Sequence, residues 1–450
     1  MLRNFFYLLI LCAFVASCGN DDDDDPMMME DSLDAQLVDA IVAAPNSSGL
    51  SSFLLPESND FAAIPQDPRN PITSAKVTLG EFLFHETAFG TGGEFPELAQ
   101  TYSCASCHHA AAGFQAGVIQ GIGDGGMGFG MRGEARVHDS SFDEALIDVQ
   151  PLRSPSAMNI AYQTNILWNG QFGATALNAG TEALWPEGTP IAVNELGYEG
   201  TEIQAIAGYG VHRHEFSEET VTANGYKNMF DAAFGDIPTE DRYTVEFAGL
   251  AVAAYERTIL SNQSPFQKWL RGYESAMTDA QKRGAIAFFG KGNCTSCHAG
   301  PSLANMEFHA IGMNDFIPSE VSNYVTGDAS SKGRGSFTKD PADDFKFKVP
   351  QLYNLTDSPF YGHGSSFTSV RDVVEYKNAG VPENSIVPAS QLANQFVPLD
   401  LTTEEINDMV EFIETGLHDP NLDRYVPGSI LSGQCFPNND EQSRADLGCG

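Results

Sequence analysis

Positive charge is scarce in this sequence. Its 450 residues hold 24 Lys and Arg against 60 Asp and Glu, a formal charge of −36. That excludes nucleic acid as a partner, because phosphate binding needs clustered basic side chains. The acidity suits solubility or a cationic protein partner. The sequence also lacks an apolar run long enough to cross a bilayer: residues 5–16 are apolar but too short. No series of alternating apolar and polar segments marks a large sheet. What is present, 42% hydrophobic and 10% aromatic residues, is globular material long enough for two domains.

The first residues, MLRNFFYLLILCAFVASCGNDDDDD, place an Arg before the short apolar run, the pattern of an export signal. Val15 to Cys18 resembles a lipobox, in which Cys18 would become the lipidated first residue. The acidic run Asp21 to Asp25 reads as a solvated tether, or as the acidic export signal of surface lipoproteins. The expectation is a lipid-anchored protein of the cell envelope, in the periplasm or on the outer membrane, with its outer face a further candidate location.

Organisation follows from helix punctuation. Residues 1–18 read as a lipoprotein-type signal peptide and 19–65 as an acidic tether and linker. Order is expected to begin at SAKVTLGEFLF. Residues 113–133 form a Gly-rich loop whose GxGxxG pattern lacks the flanking strand and helix of a dinucleotide site. A helix is expected around Phe247, Leu250, Ala251 and Ala254, with a break at Pro265. Further helices start at Thr278, with Gln281 as capping-box partner, and at Thr402, with Glu405. They should stop near Gly290 and Gly416. The fold class is mainly α, with long loops and little strand.

The eight cysteines sort by position. Cys12 lies in the signal segment and Cys18 in the lipobox. Cys435 and Cys449 could form a disulfide in an oxidising envelope. The other four make two identical patterns, Cys104-Ala-Ser-Cys107-His108 and Cys294-Thr-Ser-Cys297-His298. C-x-x-C-H is the signature of covalent haem attachment: two thiols form thioethers, and the adjacent His gives its nitrogen to iron. A thioredoxin-type site explains neither His. Cys₄ zinc sites keep their pairs about 15–20 residues apart, whereas Cys107 and Cys294 are 187 apart. Two c-type haems are therefore expected, one per domain. So few haems in so long a chain favour chemistry at one and electron storage at the other.

With these motifs in place, residues 65 to 418 resemble the bacterial di-haem cytochrome c peroxidases and their MauG-like relatives. The resemblance rests on KVTLGEFLFHETAFG, RSPSAMNIAYQ with LWNGQ, SPFQKWLRG, GAIAFFGKGNCTSCHAGP, FKFKVPQLYNLTDSPFYGHG and VRDVVEYKNAG, in that order. It implies two cytochrome c-like domains: a peroxidatic haem domain over residues 66–262 and an electron-transfer haem domain over 263–400, followed by a closing helix and tail over 401–450. It implies that Trp168 lies between the haems. It also implies a distal carboxylate that moves a proton between the peroxide oxygens, matched best by Glu195, with Glu199 second.

Departures from the family pattern shape the remaining expectations. In relatives needing reductive activation, a His sixteen residues after the proximal His caps the first haem; here that position is Asp124. An open or water-bound first haem follows, with His138 the nearest alternative cap and His109 no ligand. The family's distal Met or Tyr at the second haem corresponds to Lys377, or to Tyr376 with a one-residue slip; Met306, Met313 and Met409 are weaker candidates. The family also implies Ca2+ between the domains, held by an Asn side chain and carbonyl oxygens. The Asn position is Arg153 here, leaving Thr356 and Pro359 as carbonyl donors.

The sequence thus reads as a peroxidase that reduces hydrogen peroxide with electrons from a small cytochrome or cupredoxin, passed from the second haem to the first. The alternatives are a MauG-like oxidase acting through a ferryl state on a protein or organic substrate, and a non-catalytic di-haem electron carrier. A homodimer is compatible with the sequence.

Overall fold

The computed structural model describes residues 32–449. The signal-type segment, Cys18 and the acidic run lie outside the described residues. Among the described residues, seven helices of nine or more residues organise the fold: α1 (Leu33–Ala43), α2 (Ser74–His85), α3 (Gly200–Val211), α4 (Val245–Glu256), α5 (Asp279–Phe289), α6 (Val370–Ala379) and α7 (Thr403–Glu411). Among the described residues the only sheets are two short antiparallel ribbons. β1 (Gly126–Met127) pairs with β2 (Val137–His138), and β3 (Phe308–His309) with β4 (Phe347–Lys348).

Local chemistry explains the helix ends. Thr278 with Gln281, and Thr402 with Glu405, form reciprocal capping boxes that satisfy first-turn N–H groups. The Thr73 hydroxyl accepts from Lys76 N and starts α2. α5 stops at Gly290, and α7 runs into a single π turn over Phe412–Gly416. Pro265 opens the short helix Pro265–Leu270, where its missing N–H leaves no bond unmade.

Two aromatic-rich cores form. α2, α3 and α4 enclose the first, around Phe84, Tyr209 and Tyr255; α1, α5 and α7 enclose the second, around Phe53, Phe288 and Phe412. In each core two helices cross at a glycine. A Cβ on Gly80 would sit 2.0 Å from the Ala251 carbonyl oxygen, and one on Gly284 would sit 1.9 Å from that of Asp408. Backbone therefore meets backbone at both crossings, which only glycine permits.

The chain ends depart from expectation. Residues 33–64, expected in the tether, pack into the second core, with Leu37, Ile41, Phe53 and Leu55 fully buried. The Asp34 carboxylate accepts from Trp269 Nε1 at 2.7 Å and Lys282 Nζ at 2.8 Å. Leu37 and Ile41 face inward with Val38 and Ala40 packed beside them, whereas the polar NSSG stretch that follows reads as linker. The closing stretch divides. α7 belongs to the second core, whereas Leu422 and Tyr425 belong to the first. Beyond them, the Pro437 carbonyl accepts from Ser103 Oγ at 2.9 Å and Ser106 Oγ at 3.2 Å, pinning the tail to the first C-x-x-C-H motif. Cys435 and Cys449 are disulfide-bonded, with Cα atoms 5.7 Å apart. Among the described residues, no helix is long and apolar enough to cross a membrane.

Candidate haem sites and the cavity beside Trp168

Both C-x-x-C-H motifs fold into one tight turn. Cys104–Ser106 and Cys294–Ser296 are 3₁₀ turns, and each following His donates its backbone N–H to the first Cys carbonyl, at 3.1 Å for His108 and 2.8 Å for His298. The four thiols are not disulfide-bonded. His108 Nδ1 lies 3.2 Å from the Phe114 carbonyl, and His298 Nδ1 lies 2.9 Å from that of Leu303. A carbonyl only accepts, so Nδ1 carries the proton and Nε2 keeps its lone pair. Burial pushes both imidazoles down to about 4, so they are neutral, as a metal ligand must be. Tautomer, orientation and charge all suit a proximal ligand.

A cavity of about 290 Å³ opens beside the second motif, lined by Cys294, Cys297 and His298 and otherwise largely by apolar side chains such as Phe288, Val374 and Leu401. Three cations line it as well: Arg153, Lys348 and Lys377. The one carboxylate in the wall, Asp315, is taken by His363 Nε2 at 3.0 Å. None of the three cations has an ion pair among the described residues, and burial lowers the pKa of each. Unpaired buried cations are costly unless an anion arrives. A flat, apolar group carrying two carboxylates fits this wall, and haem is such a group.

The wall also separates the two candidates for the distal position. Lys377, on α6, lines the cavity; burial pushes its ammonium down to about 8, which eases loss of the proton. Tyr376 does not line it: its hydroxyl donates to the Ile311 carbonyl and its ring lies between Phe367 and Phe396. The wall thus favours Lys377 over the one-residue slip to Tyr376. Met313 and Met409 line the cavity, and Met306 does not.

Trp168 lines the same cavity. Its Nε1 donates to the Arg153 carbonyl at 2.8 Å, and its ring stands edge-on to Phe347 and His363, which stack on each other at 3.6 Å. The indole is thus fixed in orientation by one hydrogen bond and two aromatic edges.

Around the first motif the expectations sort differently. Asp124 is buried and committed: its Oδ2 accepts from Arg213 Nη1 and from Glu94 N, each at 2.8 Å. His138 sits on β2 with its Nε2 at 3.2 Å from the Phe142 carbonyl. His109 Nε2 lies 2.7 Å from the Arg132 carbonyl, away from a ligand's role. Tyr102 Oη and both ring nitrogens of His214 are buried without partners, a polar gap two residues before Cys104.

Glu195 is exposed on the 3₁₀ stretch Pro190–Leu196, outside the enclosure a distal acid–base group needs. Glu199 stands at the N-cap position of α3 without a side-chain capping bond and pairs with Arg257 Nη2 at 3.1 Å. The carboxyl with an unusual environment is Glu256, at the end of α4. It is buried, one oxygen lacks a partner, and burial with nearby Glu202 raises its pKa to about 8. Its charge is also felt by Cys104. Sequence reasoning missed it because Tyr-Glu-Arg at a helix end reads as a solvated edge. Lys348 was missed for a similar reason: a lysine between two apolar residues reads as an outward strand position.

Comparison with known proteins agrees with this geometry. The family model described as di-haem cytochrome c peroxidase matches residues 74–275. The chain is 26% identical over 370 residues to the methylamine utilization protein MauG of Methylorubrum extorquens, covering 82% of this chain and 84% of that one. It is 27% identical over 421 residues to cytochrome-c peroxidase IdrP1 of Pseudomonas sp. strain SCT, covering 87% and 94%. In fold it is similar to the crystal structure of a MauG-like protein associated with microbial copper homeostasis, with TM-score 0.54, 22% identity, and 82% and 95% coverage. The haem motifs, the two-core fold and these likenesses together make the chain similar to the di-haem cytochrome c peroxidases and MauG proteins, with the family model itself matching residues 74–275.

Proposed function

We propose that the protein is an exported, lipid-anchored di-haem peroxidase that takes electrons from a small cytochrome or cupredoxin and reduces hydrogen peroxide to water. The overall change consumes two electrons and two protons per peroxide and yields two waters. Haem c held by Cys104 and Cys107 with His108, and by Cys294 and Cys297 with His298, would supply electron storage and O–O cleavage. The chain's own residues do the rest. His108 and His298 present neutral Nε2 atoms, held by the Phe114 and Leu303 carbonyls. Lys377 would help hold the second haem, and Trp168 would lie between the two sites. Glu256 holds a proton at neutral pH beside Cys104.

The observation that carries this reading is the asymmetry of the sites. Beside the second motif stands a Lys377 amine with no acidic partner, a replacement ligand in place. At the first, the capping position belongs to a carboxylate already engaged by Arg213 and Glu94. This difference supports a second site that stays closed and passes electrons and a first that admits a small molecule. The same Asp124 supports the second reading, a MauG-like oxidase, since such a site needs no activation.

Steady-state peroxide turnover with a reduced cytochrome c tests the proposal. Donor oxidation in step with peroxide loss is expected. Peroxide reactivity without donor oxidation would favour the oxidase, and neither would leave an electron carrier. Within the site, Lys377→Ala should abolish the low-spin signal of the second haem while Tyr376→Phe leaves it unchanged. The reverse result would reassign the ligand.

A further inference from the structure

The gap between the two domains is filled by a cationic side chain. Arg153 is 2% exposed. Its guanidinium donates to the Val118 carbonyl at 2.9 Å, the Ala116 carbonyl at 3.1 Å and Gln115 Oε1 at 3.1 Å, all on the loop following His108. On the other side it donates to Ser358 Oγ at 2.5 Å, and Ser358 Oγ in turn donates to the Ala116 carbonyl at 2.8 Å. The Phe360 ring lies 5.4 Å from it. The backbone of Arg153 is bound just as firmly: its N–H donates to the His363 carbonyl at 2.9 Å and its carbonyl accepts from Trp168 Nε1. One residue therefore joins the first haem's loop, the second domain and the bridging indole.

These contacts do not fit calcium. A calcium ion takes six to eight oxygens, yet the oxygens converging here are occupied by N–H donors, and a guanidinium offers none of its own. Thr356 and Pro359, the remaining carbonyl candidates, are exposed. Among the described residues, no cluster of three His, Cys, Asp or Glu side chains is arranged to hold a metal ion.

We propose that the Arg153 guanidinium is itself the cation between the two haem domains, that it takes the place of calcium, and that it holds Trp168 and the cavity wall in register. Arg153 is a positioning residue. Lys348 stands beside it in the same wall, its ammonium donating to Gln163 Oε1 and to the Asn165 carbonyl, with no carboxylate opposite. Fixed positive charge next to a redox centre favours the reduced form, so losing Arg153 should lower the potential of the second haem. The inference rests on two haems being bound and not on peroxide turnover, so a failure of the activity proposal leaves it testable.

The test uses the full holoprotein. Metal analysis should find no stoichiometric calcium. Dialysis against a calcium chelator, or addition of calcium chloride, should leave both haem midpoint potentials and the thermal unfolding midpoint unchanged. Arg153→Gln should lower the second haem's potential, and Arg153→Lys should restore part of the shift. Stoichiometric calcium whose removal moves a potential would overturn the proposal, as would an Arg153→Gln protein with unaltered potentials. If Arg153→Gln fails to fold, the calcium and chelator measurements on the unaltered protein still decide.

Discussion

Glu256 shows how one residue's surroundings set its behaviour. In the unfolded chain a glutamate ionises near 4.5, whereas burial and the neighbouring Glu202 raise Glu256 to about 8 in the fold. Between those values the folded state holds a proton the unfolded state has lost. Its contribution to stability is full below about 4.5 and declines as pH rises through about 8. Glu256→Gln, a neutral near-isostere, should thus match the unaltered protein's thermal midpoint at pH 5 and exceed it increasingly toward pH 8. A difference independent of pH would show that the carboxyl is not held protonated. Trp168 makes the complementary prediction for function. Trp168→Phe removes the bond to Arg153 and the indole from the cavity wall. Peroxide turnover should fall by an order of magnitude or more, about 1.4 kcal/mol of barrier per factor of ten. Haem spectra should stay unchanged; an unaltered rate would remove the indole from the electron path.

Each core contains the same device, a helix pair crossing at glycine, which lets the elements bring a C-x-x-C-H turn against the core. Gly80→Ala and Gly284→Ala should each force the helices apart at a cost of about 1–3 kcal/mol, the usual penalty of overpacking. Chemical denaturation would measure it, and a loss near zero would mean the crossings are loose. These elements were the most legible part of the sequence. Thr278 with Gln281 and Thr402 with Glu405 are local signals, and each box closes as its spacing predicts. The two haem motifs are local too, since attachment chemistry needs only five consecutive residues. α1 was illegible because its partners Trp269 and Lys282 lie more than two hundred residues away. Glu195 shows the opposite limit: a match of letters says nothing of burial, and the residue is exposed.

At the scale of the molecule, the chain ends are exchanged. The N-terminal segment through Leu55 packs into the second core, while residues from Leu422 onward complete the first and reach its haem motif through Pro437. The Cys435–Cys449 disulfide closes a short loop in that tail. Replacing both cysteines with serine should cost about 2–4 kcal/mol and loosen the first haem's surroundings before the second's. A thermal scan followed at each haem's absorption would show this; simultaneous loss would contradict it. The exchange could not be read from sequence, because it depends on contacts between the two ends of the chain. The proposed function rests on a different asymmetry, a first site in which Asp124 stands sixteen residues after His108 and a second whose cavity Lys377 lines. The EPR spectrum of the ferric protein as isolated tests that asymmetry most directly. One high-spin and one low-spin haem is the predicted result, and two low-spin haems would contradict it.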